Sequence, residues 1–181
     1  MSKKDLERSK APGGAHHFLA RLIGEWEGTA KTWFEPGKLA DESPISGRFR
    51  PILDGLFLMH EYIGSLQKEP LSGMAVHGYY IAFKKFMISW IDTFHMGTGI
   101  LLSEGSGEIS DNSFSVSGSY SDSPGGAPWG WRTTVEIPGT DEIVITHFNI
   151  TPDGQEAKAV EILYTRKKHT SSSFDELKVD D

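Results

Sequence analysis

The sequence predicts an all-β domain: a single closed antiparallel up-and-down barrel of about ten strands, with a short N-terminal helix capping one end. Three observations carry this expectation. Short apolar or alternating runs recur along the chain between turn-forming clusters, and the 181 residues include 20 glycines and 9 prolines. No segment has the spacing of a strand–helix–strand unit. Trp26 follows a helix-like segment at one end of the chain and Arg166 closes the last strand-like run at the other. In a small closed barrel such a tryptophan plugs one end and the arginine lies across its face, a cation–π contact worth about 0.5–2 kcal/mol.

Over residues 15–23, Leu19, Leu22 and Ile23 fall at helical spacing and Gly24 stands where a C-terminal cap would, which predicts a short helix. His16 and His17 flank it as surface residues. Residues 25–34 read as the first strand, and Glu35-Pro36-Gly37-Lys38 orders proline and glycine as a type II turn requires. A second strand follows at 45–51. Asp54-Gly55 separates it from a run at 56–66, and Pro70 opens another through Met74, Val76, Tyr79 and Tyr80. After Lys84-Lys85 come 86–94 and then 97–105. None of these alternates cleanly, so the inward parity of residues 56–94 stays open.

The later strands are clearer. Ser113-Phe114-Ser115-Val116-Ser117-Gly118-Ser119-Tyr120 alternates serine with larger residues and points Phe114, Val116 and Tyr120 inward. Beyond Ser123-Pro124-Gly125-Gly126, Trp129, Trp131, Thr133, Val135 and Ile137 share one parity, while Arg132, Thr134 and Glu136 share the other. Pro138-Gly139-Thr140-Asp141 and Pro152-Asp153-Gly154 bracket a strand at 143–150 and introduce the last, at 158–167. Closing so long a meander into a barrel removes its exposed edges.

Length fits one domain, residues 15–168, with 38% hydrophobic and 11% aromatic residues to fill a core. Residues 1–14 and the acidic tail 169–181 are polar and expected to be flexible ends. A net charge of −7, with basic residues in short groups such as Lys84-Lys85 and Lys167-Lys168, argues against a nucleic-acid partner. No membrane partner is expected, because no apolar run reaches spanning length and the N-terminal residues lack a signal-peptide core. The absence of cysteine removes disulfides, thiolate metal sites and cysteine nucleophiles, and fits a cytoplasmic location.

Leu22-x-Gly24-x-Trp26-x-Gly28, the Glu35-Pro36-Gly37 turn, His77-Gly78-Tyr79, Trp90-Ile91-Asp92 and Glu161-x-x-Tyr164-Thr165-Arg166-Lys167 together resemble a bacterial single-domain family, domain of unknown function 1579. The resemblance spans about residues 15–168. It implies a calycin-like barrel, related in architecture to lipocalins, fatty-acid-binding proteins and nitrobindins. Tyr80 departs from the family pattern, in which an aspartate more often follows Gly-Tyr. The family brings no activity, so function has to be read from the residues.

Trp26 and Arg166 are assigned to barrel closure. Trp90 and Asp92 share a strand face with Phe86, Ile88 and Phe94. An inward Asp92 would be a carboxylate in a largely apolar cavity, its pKa raised, able to donate to a ligand or act as a general acid or base. Near the barrel mouth it would instead bind a backbone amide or an arginine. His60, Glu61, His77, His95 and His147 are the candidate ligands for a metal or haem iron, but no His-x-x-x-His or His-Glu-x-x-His occurs. His95 has the opposite strand parity to Asp92, so a regular strand cannot point both inward. His60 and His77 lie on neighbouring strands and could converge. Haem binding of the nitrobindin kind would need an inward histidine on a late strand, and His147 is the candidate by position.

No Gly-x-Ser-x-Gly elbow occurs, and Ser103-Glu104-Gly105-Ser106-Gly107 has no histidine placed by sequence to activate a serine. The aromatic inventory suits either a lumen that holds a small, mostly apolar molecule or one that the large rings themselves fill, and the sequence leaves the two open. The lumen walls are expected to be Tyr62, His77, Trp90, Asp92, Phe114, Trp129 and Trp131, with Asp92 or His77 orienting a polar end. No catalytic residue, metal site or cofactor is assigned. The alternatives are an isomerase or hydrolase that moves a proton with Asp92 and His60 or His77, a haem or metal binder, and an interaction module forming a homodimer through an outer barrel face.

Overall fold

The computed structural model describes residues 2–95, 97–110, 112–121 and 123–168. Two helices, α1 (Lys3–Lys10) and α2 (Ala15–Arg21), precede ten strands: β1 (Gly24–Glu35), β2 (Lys38–Ile52), β3 (Phe57–Leu66), β4 (Glu69–Tyr80), β5 (Lys85–Asp92), β6 (Leu101–Ser106), β7 (Ser113–Tyr120), β8 (Trp129–Gly139), β9 (Glu142–Ile150) and β10 (Glu156–Arg166). Successive strands pair as antiparallel neighbours, and β10 returns to β1, so the sheet closes on itself. The closing seam sets Trp26 opposite Arg166 and Thr32 opposite Val160.

One end of the barrel is plugged. Phe18 and Leu19 of α2 and Leu22 just after it are buried over it, and the Phe18 ring meets Phe114 and Phe86 edge-on at 5.5 and 6.4 Å. Trp26 is buried beside them and donates its indole N–H to the Leu22 carbonyl at 2.9 Å. The Arg166 guanidinium lies 4.1 Å from the Trp26 ring centroid and donates to the carbonyls of Ile23, Arg21 and Thr140. That fork ties the last strand to the segment entering the first.

The structure corrects the sequence expectations at several points. Residues 3–10, expected to be a flexible end, form α1. Ser2 caps it in a reciprocal box with Asp5, and Arg8 and Lys10 occupy its last turn. The helix is docked rather than free: Ser9 is buried and its hydroxyl lies 2.7 Å from Nδ1 of His16. His16, expected on the surface, is therefore buried as well. β2 begins seven residues before its apolar stretch because Lys38–Pro44 pair with β1 while mostly facing solvent, which hides them from a hydrophobicity pattern. The expected tail, residues 169–181, lies outside the described residues.

The open parities resolve. Leu58, His60 and Tyr62 of β3, Ala75 and His77 of β4, and Phe86, Ile88 and Asp92 of β5 are buried toward the lumen. Phe94 is not on that face: β5 has ended, and its half-exposed ring stacks on Phe34 at the rim. In β8, Trp131, Thr133, Val135 and Ile137 are buried as the alternation requires. The tyrosine at position 80 ends β4 as an exposed ring packed edge-on against Phe83.

Candidate functional site

Above the plugged end the lumen is not completely filled. A cavity of about 60 Å³ remains among apolar side chains such as Ile45, Leu71, Ile88 and Ile162, and polar ones such as His60, His77, Ser103, Thr133 and His147. A second chamber of about 180 Å³ lies toward the open end, bounded by Phe34, Phe94, Tyr120 and Asn149. The two share Thr32, Trp90, His95, Leu101, Trp131 and Val160 as walls. Trp90 and Trp131 stack face to face across that boundary at 5.6 Å.

The inner chamber is built around histidines. His60 lies flat on Phe49 at 4.0 Å between centroids, and its Nε2 is 3.2 Å from the Tyr164 hydroxyl. Gly47 makes that pair possible, because a Cβ there would sit 2.5 Å from the Tyr164 oxygen and 3.1 Å from His60 Nε2. His147 places Nδ1 2.9 Å from the Thr133 hydroxyl, and its ring stacks on Trp131. His77 is only 3% exposed, and neither of its ring nitrogens has a hydrogen-bond partner. Burial disfavours the charged imidazole in all three: it drives His77 down to about 4 and His147 to about 3, and His60 well below its usual range. At neutral pH His60, His77 and His147 are therefore uncharged.

At the boundary, Asp92 anchors a second cluster. Its Oδ1 accepts the backbone N–H groups of Phe94 at 3.0 Å and His95 at 2.6 Å, and its Oδ2 lies 2.5 Å from Nδ1 of His95. The Tyr62 hydroxyl, which accepts from the Trp90 indole N–H at 2.8 Å, donates to Oδ2 at 3.4 Å. Gly73 leaves the space, since a Cβ there would lie 2.3 Å from the Tyr62 oxygen and 2.7 Å from the Asp92 Cβ. Burial pushes the Asp92 carboxyl up, but the bonds from the His95 ring and charge and from the two backbone amides outweigh it, so Asp92 sits below its ordinary value. It is an ionised, fully engaged carboxylate, and the raised pKa expected from the sequence is corrected. Its bond to Nδ1 leaves Nε2 of His95 as the free ring nitrogen at the chamber wall.

Of the wall residues expected from the sequence, Tyr62, His77, Trp90, Asp92 and Trp131 line the cavity. Phe114 does not: it is inward but belongs to the plugged end, stacked on Phe86 at 4.1 Å. Trp129 has the inward parity yet stands at the start of β8 opposite Tyr120, outside both chambers, because parity fixes the side of the sheet and not the height along the barrel. His95 reverses the parity expectation. β5 ends at Asp92, whose side chain turns the following residues back so that His95 re-enters the lumen. The partner of Asp92 is thus His95 and not His60 or His77. Sequence reasoning missed Gly47 and Gly73, whose signal was a glycine at an inward position opposite a tyrosine strand.

His147 points inward, as haem ligation would require. The rings of Trp90 and Trp131 stack on it at 6.0 and 5.3 Å. Among the described residues, no three of His, Asp and Glu come close enough together to hold a metal ion, and no helix is long and apolar enough to cross a membrane.

The profile of the family described as "Protein of unknown function (DUF1579)" matches residues 11–166. The chain belongs to this family. Comparison with curated protein sequences gives no match. Among solved structures, the DUF1579 chain is similar to Rv2717c from M. tuberculosis, at 14% identity and a TM-score of 0.63, covering 87% of this chain and 99% of that one. It is also similar to the S-type phycobiliprotein lyase CPES from Guillardia theta, at 13% identity and a TM-score of 0.59, covering 91% and 98%. At such identities the likeness establishes a shared barrel fold.

Proposed function

We propose that this protein binds a small, mostly apolar molecule in the lumen of its barrel. The carrying observation is the pair of adjoining chambers above the end closed by Trp26 and α2, with the stacked Trp90 and Trp131 as walls common to both. Flat indole faces and aliphatic walls suit an aromatic or short aliphatic body. Native mass spectrometry of the protein as isolated from cells, compared with its sequence mass, tests the reading. An added small-molecule mass that Trp131→Ala abolishes supports it; identical apo spectra for both proteins, with no binding of small aromatic compounds, would overturn it.

The Asp92–His95 pair favours a second reading, proton transfer on the bound molecule. With the carboxylate of Asp92 on Nδ1, the neutral form of His95 would present Nε2 as a proton acceptor, the arrangement a general base needs. This reading requires a bound compound with an acidic proton beside Nε2, so the binding test comes first.

A further inference from the structure

The geometry points to a neutral hydroxyl group, that of a phenol or an alcohol, as the polar end of the ligand, received by His77 in the inner chamber. This rests on the lumen being the binding site. The first reason is hydrogen-bond inventory. His77 is buried to 97% of its surface and has neither a donor nor an acceptor engaged, whereas buried polar groups are almost always paired. A neutral imidazole offers one N–H and one lone pair, and a hydroxyl complements both because it donates and accepts.

The second reason is charge. No lysine or arginine lines either chamber among the described residues, and the nearby carboxylate of Asp92 already has its lone pairs engaged. A carboxylate head group would enter with no lysine or arginine to meet it, with His95 already bonded to Asp92 and with the field of that carboxylate against it, which makes burial of the anion costly. The third reason is size. A chamber of about 60 Å³ has room for a few water-sized groups, so it takes a head group while the ring or chain lies toward Trp90 and Trp131. His60 and His147 do not compete for the same role, since each has one ring nitrogen beside a hydroxyl of the protein.

The test uses three matched probes, p-cresol, toluene and p-toluate, followed by saturation-transfer NMR and by the protein's histidine ring resonances at pH 7.5. The expected result is that p-cresol binds at least about tenfold tighter than toluene, that p-toluate does not bind, and that the His77 resonances move. His77→Leu, of similar volume, should fold normally because it removes an unpaired polar group, and should bind toluene and cresol alike; His77→Gln, with one donor and one acceptor, should restore the preference. Equal binding of cresol and toluene by the native protein would overturn the hydroxyl assignment while leaving the binding reading intact. Tighter binding of p-toluate would overturn it in favour of an anion. Binding of none of the three, with ordered water only at His77, would overturn both.

Discussion

Acid should unfold this barrel earlier than its surface suggests, and the lumen histidines set the size of the effect. His77 and His147 are held at about 4 and about 3 in the folded protein, against 6.5 for an unperturbed histidine, and His60 is displaced the same way. Well above pH 6.5 both folded and unfolded chains carry these rings neutral, so they contribute no pH dependence. Below 6.5 the unfolded chain gains a proton at each ring while the folded chain does not, and stability falls until the pH reaches the folded value. Each histidine gives up to about 1.4 kcal/mol per pH unit in this window, or about 2 kcal/mol between pH 7 and pH 5. His77 and His147 together cost about 4 kcal/mol, and His60 adds to the loss in the same direction, a large share of the whole stability of many domains. Asp92 adds its own loss only lower, because its folded value is already below 3.8. Urea unfolding followed by tryptophan fluorescence at pH 7, 6 and 5 measures this directly. His77→Leu should remove about 2 kcal/mol of the pH 7 to 5 difference. A stability that is level across this range, or a slope unchanged in His77→Leu, would refute the placement of uncharged imidazoles in the lumen.

Gly73→Ala pushes a methyl into the Tyr62 hydroxyl and the Asp92 Cβ; overpacking of this kind costs about 1–3 kcal/mol, so the melting temperature should fall by about 2–10 °C, read by calorimetry. Arg166→Ala removes the cation over Trp26 and three carbonyl contacts and should cost about 1–2 kcal/mol in urea, with Arg166→Lys failing to restore it because an ammonium cannot span the same carbonyls. Asp92→Asn should abolish the downfield Nδ1 proton of His95 in NMR spectra and let the amides of Phe94 and His95 exchange faster, whereas Phe114→Leu at the plugged end should leave that proton in place.

The legible parts of the structure were those written in periodicity and turn chemistry. The serine alternation of β7 and the parity of β8 located buried residues correctly because each strand has one wet and one dry face. The closure by Trp26 and Arg166 was visible as a helix, a tryptophan and a terminal arginine at the right distance along the chain. Height along the barrel axis was not visible, since it depends on the stagger between strands, and so Phe114 and Trp129 went to the wrong level. His95 was misplaced because strand parity holds only while the strand lasts, and the side chain of Asp92 ends it. α1 escaped notice because its docking uses a buried Ser9–His16 hydrogen bond and a polar capping box rather than an apolar stripe. The orphaned nitrogens of His77 are a tertiary fact, created by which neighbours fail to reach it.

The most direct test of a ligand-holding lumen is a crystal structure of the protein soaked with p-cresol. Electron density for the ring is expected beside Trp131, with its oxygen about 3 Å from a ring nitrogen of His77. A lumen containing only ordered water at His77, with Trp90 and Trp131 closed over it and no aromatic density, would contradict a ligand-holding lumen.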